Sequence, residues 1–207
     1  MLLAIDTSAG TSVAAQWRDG AAEAASTSTM AHAEVVGQLI SEVVEASDLR
    51  VSQITGVVAG IGPGPFTGLR VGLAAASAFA VGRGVPLLAV VSHDAIAFDA
   101  LEEVEGPVLV VTDARRKELY WSIYRGFDAN GLPERVAGPA LAKPDELPTE
   151  WDGAAVTRWD AAEVSAGLLN LIAHRKLEAG IPFEPFEPLY LRSPDVTLSN
   201  GPKRVVQ

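Results

Sequence analysis

Apolar residues along this chain fall into short runs that switch between two periods, and the switches predict the elements. Leu2–Asp6 is an apolar run ending on an acid, as a buried strand would be. Thr11–Trp17 and Ala21–Ser26 follow with Asp19-Gly20 as a hairpin turn, so a three-strand meander is expected. From His32 to Ser47 the period changes, and Val35, Val36, Leu39, Ile40, Val43 and Val44 form a wide stripe at helical spacing. Ile54–Ala59 predicts a buried strand, Thr67–Val81 a helix, Pro86–Val91 a strand and His93–Leu101 a short helix. A second block opens at Pro107, with Val108–Thr112 and Glu118–Tyr124 as antiparallel strands around the polar turn D-A-R-R-K. Pro139–Pro148 reads as loop with at most one helical turn, Ala154–Thr157 as a short strand. Ala161–Leu177 reads as an amphipathic helix carrying Leu168, Leu169, Leu171 and Ile172. The tail, with Pro182, Pro185 and Pro188, leads to Leu189–Arg192 and is expected to fray after Ser193. Both blocks open with strands around an aspartate turn, which predicts two lobes of related design, 1–101 and 102–207, the second one eroded.

The segment Gly60–Gly82 reads G-I-G-P-G-P-F-T-G-L-R-V-G-L-A-A-A-S-A-F-A-V-G. Gly62 and Gly64 can take positive φ while Pro63 and Pro65 hold φ at about −65°, so the turn is tight and stiff. Thr67 is placed to cap the helix, whose free N–H groups would attract an anion or a partner's carboxylate. One side of that helix is Gly68, Gly72, Ala75, Ala76 and Ala80. Each helical glycine costs about 1 kcal/mol against alanine, so close approach by another backbone is the expected reason. On that ground the segment reads as a docking helix.

Composition narrows the classes. With 207 residues, 48% hydrophobic and 20% charged, the chain can fold and bury a sizeable core. A formal net charge of −10 argues against this chain as the main contact for tRNA or DNA. Cysteine is absent, which removes disulfides, thiol catalysis and zinc–thiolate sites. The opening M-L-L-A-I-D reads as a strand rather than a signal peptide, and no apolar run approaches the roughly 20 residues that span a membrane. A cytoplasmic protein without a membrane partner is expected.

The Gly-Pro turn with F-T-G-L-R-V-G-L-A-A-A, the opening A-I-D-T-S, the segment D-A-R-R-K-E-L-Y and the closing P-L-Y-L-R-S-P-D-V-T together resemble the TsaB (YeaZ) family. The likeness runs from Leu2 to about Tyr124 and resumes near Glu187. It implies an α/β, two-lobed, actin-like and sugar-kinase-like fold of ribonuclease-H-like topology, with mixed sheets flanked by helices and a reduced second lobe. It also implies a non-catalytic partner of TsaD, the transferase that makes N6-threonylcarbamoyladenosine in tRNAs reading ANN codons. A separate ATPase subunit, TsaE, would join the complex, and no cofactor is expected on this chain. One departure stands out: between Trp151 and Leu168 the family's longer glycine-rich segment is reduced to Gly153 and Gly167.

Candidate site residues fall into two groups. Asp6, Thr7 and Ser8, with Thr67 and Arg115, are candidate nucleotide or anion contacts. An aspartate and hydroxyls at a strand end could hold Mg²⁺ and phosphates, the alternative being a small-molecule phosphotransferase that uses Asp6. The plainer reading is an aspartate that caps its own turn. A kinase also wants a second acidic base and a glycine-rich adenosine loop, and neither is evident. His93 occupies a position where TsaD relatives carry the first of two histidines four residues apart; here the second place is Ala97. A lone histidine makes a poor metal site, so no metal is expected and His93 reads as a helix-start or surface residue. His32 and His174 read as solvated, and no Ser-His-Asp set suggests a peptidase. Asp113, Arg115 and Arg116 either face a cleft between lobes or form only a polar turn.

The second group is a partner interface: Val36, Leu39, Ile40 and Val43 on the first helix, with Phe66, Leu69, Arg70, Leu73, Ala76 and Ala80 on the Gly-rich one. One face of each helix must pack on the sheet, but the first stripe covers two adjacent rows, which predicts a spare apolar face. Like-with-like pairing would give a homodimer and pairing with TsaD a heterodimer. A charge at Leu73 or Ala76 is then expected to abolish TsaD binding in a folded protein.

Overall fold

The computed structural model describes residues 1–17, 20–28, 31–48 and 50–192. The expected Asp19 turn and the P-D-V-T segment of the tail lie outside them. The first sheet is built from β1 (Leu2–Asp6), β2 (Thr11–Trp17), β3 (Gly20–Ser26), β4 (Gly56–Gly60) and β5 (Leu87–Val90), in the order β3-β2-β1-β4-β5. The meander β1-β2-β3 is antiparallel, whereas β4 and β5 join in parallel. Parallel neighbours need crossovers, and α1 (His32–Ala46) and α2 (Phe66–Arg83) supply them. A second sheet, β11-β6-β7-β8, takes β6 (Val108–Asp113), β7 (Leu119–Phe127), β8 (Pro133–Ala142) and β11 (Thr157–Asp160). The short pair β9 (Glu150–Trp151) and β10 (Ala154–Ala155) precedes β11.

Side-chain alternation decides the layering. Leu3 and Ile5 of β1 face α1 and α2 in one core with Val36, Leu39, Val43, Leu73, Ala76 and Ala80. Leu2 and Ala4 face the other way, into a core with Ile96, Phe98, Leu169 and Ile172. These belong to α3 (Ser92–Glu103) and α4 (Ala166–Ala179), which lie between the sheets, since Val108, Val110 and Tyr124 of the second sheet complete that core. Burying a side chain such as Leu3, Ile5 or Leu169 contributes about 1.5–3 kcal/mol each. The first sheet falls in the earlier half of the chain and the second in the later half, yet α4 of the later half packs on β1, β2 and β4 of the first sheet. Ser12 Oγ donates to Val164 O at 2.7 Å and Asn170 Nδ2 to Ala14 O at 3.1 Å, tying β2 to α4 and its approach.

Three expectations need correction. Pro139–Pro148 is not loop throughout: β8 runs to Ala142, and the helical turn is the 3-10 segment Pro144–Glu146. Prolines are tolerated there because β8 is an edge strand, where a missing N–H breaks no ladder between two neighbours. The last helix begins at Ala166 rather than Ala161, because Thr157–Asp160 is a strand parallel to β6 and Ser165 is the cap, accepting from Leu168 N at 3.1 Å. The third concerns α2, which starts at Phe66 with Pro65 in the cap position and no side-chain cap; Thr67 is exposed in its first turn.

Candidate functional site

The β1 strand ends in a loop that drops onto the start of α2. Asp6, Thr7 and Ser8 are all buried there. Asp6 Oδ1 accepts from Ser8 N at 2.7 Å and from Ser8 Oγ at 2.6 Å, and Oδ2 accepts from Ser92 Oγ at 2.5 Å. Ser92 Oγ in turn accepts from Gly62 N at 3.0 Å, so the carboxylate and the Gly-Pro turn are joined through one hydroxyl. Thr7 Oγ1 donates to Gly68 O at 2.7 Å and accepts from Gly72 N at 3.0 Å. Burial pushes the Asp6 carboxyl up, and the Ser8 and Ser92 hydrogen bonds pull against it. This is an aspartate holding its own turn, with donors and hydroxyls already engaged inside the protein.

What α2 needs Gly68 and Gly72 for is therefore the chain's own Thr7, its carbonyl at the first and its side chain at the second. A Cβ on Gly68 would stand 2.5 Å from Thr7 O, and one on Gly72 would stand 2.2 Å from Thr7 Oγ1. The small side of the helix faces inward, against the expectation of a docking face. The same correction covers most of the expected interface: Val36, Leu39, Val43, Leu69, Leu73, Ala76 and Ala80 are buried. Ile40 is half-buried against that core, with Val35 and Val44 beside it, so both rows of the α1 stripe serve the interior. Phe66 and Arg70 remain at the surface, the Arg70 guanidinium carbon 3.9 Å from the Phe66 ring centroid.

What α2 turns outward is Thr67, Arg70, Ala74, Ala78 and Val81, all exposed and spaced by three or four residues. Val81 is 79% exposed, the largest value among the exposed large hydrophobic residues of the described chain. The outward side of α1 is polar, with Glu34, Gln38, Ser41, Glu42 and Glu45.

The histidines also depart from expectation. His93 is fully buried rather than at the surface, its Nδ1 2.8 Å from Ser122 Oγ and its Nε2 2.9 Å from Thr112 Oγ1. Burial, aided by the positive Arg135, pushes it down to about 3. A neutral imidazole bridging two hydroxyls of the second sheet fixes α3 in place and offers no open ligand position. Beside it, Asp94 Oδ1 accepts from Tyr124 Oη at 2.6 Å and faces Arg135 Nε at 3.3 Å. Burial raises the Asp94 carboxyl and raises Tyr124 well above its ordinary value. His32 is buried too, with Nδ1 2.8 Å from Thr11 Oγ1, while His174 is half-buried. Ser92, Thr112, Ser122 and Tyr124, which hold these groups, carry no local motif; only the second sheet's approach to α3 brings them in. Among the described residues no group of three or more His, Cys, Asp or Glu is placed to hold a metal ion, and no helix is long and apolar enough to cross a membrane.

Thr67 lies on the outward stripe of α2 and not in the Asp6 loop. Arg115 sits in the β6–β7 turn, its amide donating to Asp113 Oδ1 at 2.8 Å. Of the expected anion set, Asp6, Thr7 and Ser8 are thus buried together, while Thr67 and Arg115 stand exposed outside that loop.

A family model described as TsaD, tRNA N6-adenosine threonylcarbamoyltransferase, matches residues 25–163. The tRNA threonylcarbamoyladenosine biosynthesis protein TsaB of Escherichia coli is 30% identical over 159 residues, 72% of this chain and 68% of that protein. The chain belongs to the TsaB (YeaZ) family. YeaZ from Pseudomonas aeruginosa, at 24% identity, superposes with a TM-score of 0.79 over 92% of this chain and 99% of that one. The actin-like TsaB fold, two mixed sheets flanked by helices, is the fold seen here. An uncharacterized protein of Mycobacterium leprae is 36% identical over 196 residues, 87% of this chain and 51% of that protein. This TsaB-family chain therefore spans about half the length of that relative.

Proposed function

We propose that this chain is a non-catalytic subunit of the complex that forms N6-threonylcarbamoyladenosine in tRNA. It docks a TsaD-type transferase through the outward stripe of α2 and holds that partner in its active conformation, in a complex joined by a TsaE-type ATPase. The observation that carries the reading is the stripe itself: Ala74, Ala78 and Val81 leave a small-residue track with one apolar knob fully presented. Small residues let a second helix approach closely, and a knob at the end supplies the apolar centre of an interface. Activation needs no reacting group from this chain, because binding one conformation of the partner in preference to another shifts its population. The buried, internally bonded Asp6 supports this reading over a phosphotransferase, which needs its carboxylate open to metal and phosphate. The free chain is placed in the cytoplasm, with a homodimer through the same stripe as the state that competes with the heterodimer.

The test is threonylcarbamoyl transfer to tRNA by purified TsaD-type and TsaE-type proteins, with ATP and threonylcarbamoyl-adenylate, with and without this chain. Transfer that requires this chain, survives Asp6→Asn and fails with Val81→Glu supports the reading. Transfer indifferent to the chain, or lost with Asp6→Asn in an intact complex, overturns it.

A further inference from the structure

Arg135 stands on the edge strand β8, and two carboxylates share its guanidinium. Nε lies 3.3 Å from Asp94 Oδ1, and Nη2 lies 3.7 Å from Glu184 Oε1. Both contacts are ion pairs, and neither is a hydrogen bond. Nε is buried and donates to nothing among the described residues, and at 3.7 Å Glu184 is beyond hydrogen-bond reach. An ion pair answers charge without filling the donors and acceptors that carry it.

All three residues line one cavity of about 380 Å³, between β8, α4 and the segment that follows α4. Lys176 of α4 lines it too, and its charge is felt at the same carboxyl: burial raises Asp94, Arg135 and Lys176 pull it down, and Glu184 pushes it up. Side-chain exposure rises from 14% at Asp94 through 23% at Arg135 to 37% at Glu184, so Asp94 is the floor of the cavity and Glu184 its rim. Leu132, Val136, Ile172 and Ile181 add an aliphatic wall. Small-molecule sites are typically about 300–1,000 Å³, and this cavity falls at the small end.

The lining charges select the ligand. Asp94, Asp128, Glu134 and Glu184 outnumber Arg135 and Lys176, which disfavours phosphate or any other polyanion. A metal ion fares no better, since no acidic cluster among the described residues is placed to hold one. Arg135 Nε calls for an acceptor, and Glu184, out of its reach, for a donor. We propose that this cavity binds a free α-amino acid with an aliphatic side chain. Its carboxylate accepts from Arg135 and Lys176, its ammonium donates to Glu184, and its side chain lies on the apolar wall. A zwitterion adds no net charge to the cavity and supplies both partners at once. No residue of α2 lines the cavity, so its occupancy is independent of docking and is tested on the chain alone.

The probe is L-leucine, titrated to about 20 mM into the isotope-labelled full chain and followed by amide shifts in nuclear magnetic resonance spectra, a range that reads millimolar dissociation constants. Two analogues each remove one charge from nearly the same skeleton: isocaproate lacks the ammonium, and isoamylamine lacks the carboxylate. Leucine should give saturable shifts in β8 and at the end of α4, and each analogue should bind about fivefold or more weakly, for the loss of one charge-assisted hydrogen bond. Glu184→Gln and Lys176→Gln, away from the floor, should each weaken leucine by about threefold or more. Arg135→Gln should weaken it by about tenfold or more. That variant strands Asp94, so if its spectrum shows unfolding the other two decide the matter. Absence of saturable shifts with leucine overturns the proposal. So does an analogue that binds as tightly as leucine, which would make the cavity a simple anion or cation site. Leucine binding untouched by both Glu184→Gln and Lys176→Gln overturns it as well, by placing the amino acid elsewhere.

Discussion

The Gly72 amide donates to the Thr7 hydroxyl at 3.0 Å, and a Cβ added to Gly72 would fall 2.2 Å from that same oxygen. Alanine is the better helix former by about 1 kcal/mol, yet Gly72→Ala should lower stability, by about 1–3 kcal/mol, because Thr7 is pinned on both sides. Urea unfolding of Gly72→Ala, alone and with Thr7→Ala, checks this. The double variant should recover part of the loss, and an unchanged midpoint in the single variant would refute the contact.

Ser92 joins the Asp6 carboxylate to the Gly62 amide. Ser92→Ala should cost about 1–3 kcal/mol, since it strands a buried acceptor and a buried donor together. Asp6→Asn removes the charge instead. The folded-state carboxyl is raised above 3.8, so its share of stability is full below that value and is lost as pH rises through the folded pKa. The asparagine variant should therefore lose that dependence when denaturation midpoints are compared across the acid range.

His93 works in the opposite direction. Its folded-state value is lowered from 6.5 to about 3, so the unfolded chain binds the extra proton in between. Stability present above pH 6.5 should fall with pH through that window, by at most about 1.4 kcal/mol per pH unit. Asp6 and Asp94, both raised, oppose it at the acid end. The difference between the native chain and His93→Gln isolates the histidine: the variant should be less stable near neutrality and show a flatter profile. Parallel profiles would refute a buried neutral imidazole.

For the proposed docking stripe, Val81→Glu should leave the melting temperature within about 2 °C and weaken capture of the proposed TsaD-type partner at least tenfold, because Val81 is 79% exposed. Leu73→Asp should fail differently. Leu73 is 7% exposed in the core, so a carboxylate there unfolds the protein before any interface is tested. Circular dichroism melts beside co-purification separate the two outcomes. Loss of binding by a well-folded Leu73→Asp chain would restore the face that the sequence suggested.

Much of the first sheet was legible because its strands and helices have clear periods: β1, β2, α1 and β4 lie within a residue or two of expectation. The edge strand β8 was not, since Pro133, Gly138 and Pro139 read as breakers unless the strand is known to lie at an edge. The Asp6 turn was legible as self-capping, because Asp and Ser two residues apart make that bond locally. His93 was not: its hydroxyl partners, Thr112 and Ser122, come from another sheet, and no local pattern announces them. Gly68 of α2 was correctly read as the mark of a close backbone, whereas Gly72 makes room for the Thr7 side chain. Whose backbone it was depended on Thr7, 61 residues away from Gly68.

The passage of α4 from the later half onto β1, β2 and β4 has a consequence for synthesis. While the chain is being made, the first sheet has α1 and α2 for one of its faces as soon as they emerge. Its other face waits for Leu169 and Ile172, so the earlier half must travel some way as a half-covered sheet. A ribosome that stalls before residue 160 would release a sticky intermediate instead of a finished lobe, and splitting the gene between the two sheets should give two insoluble products where one chain gives a single folded one.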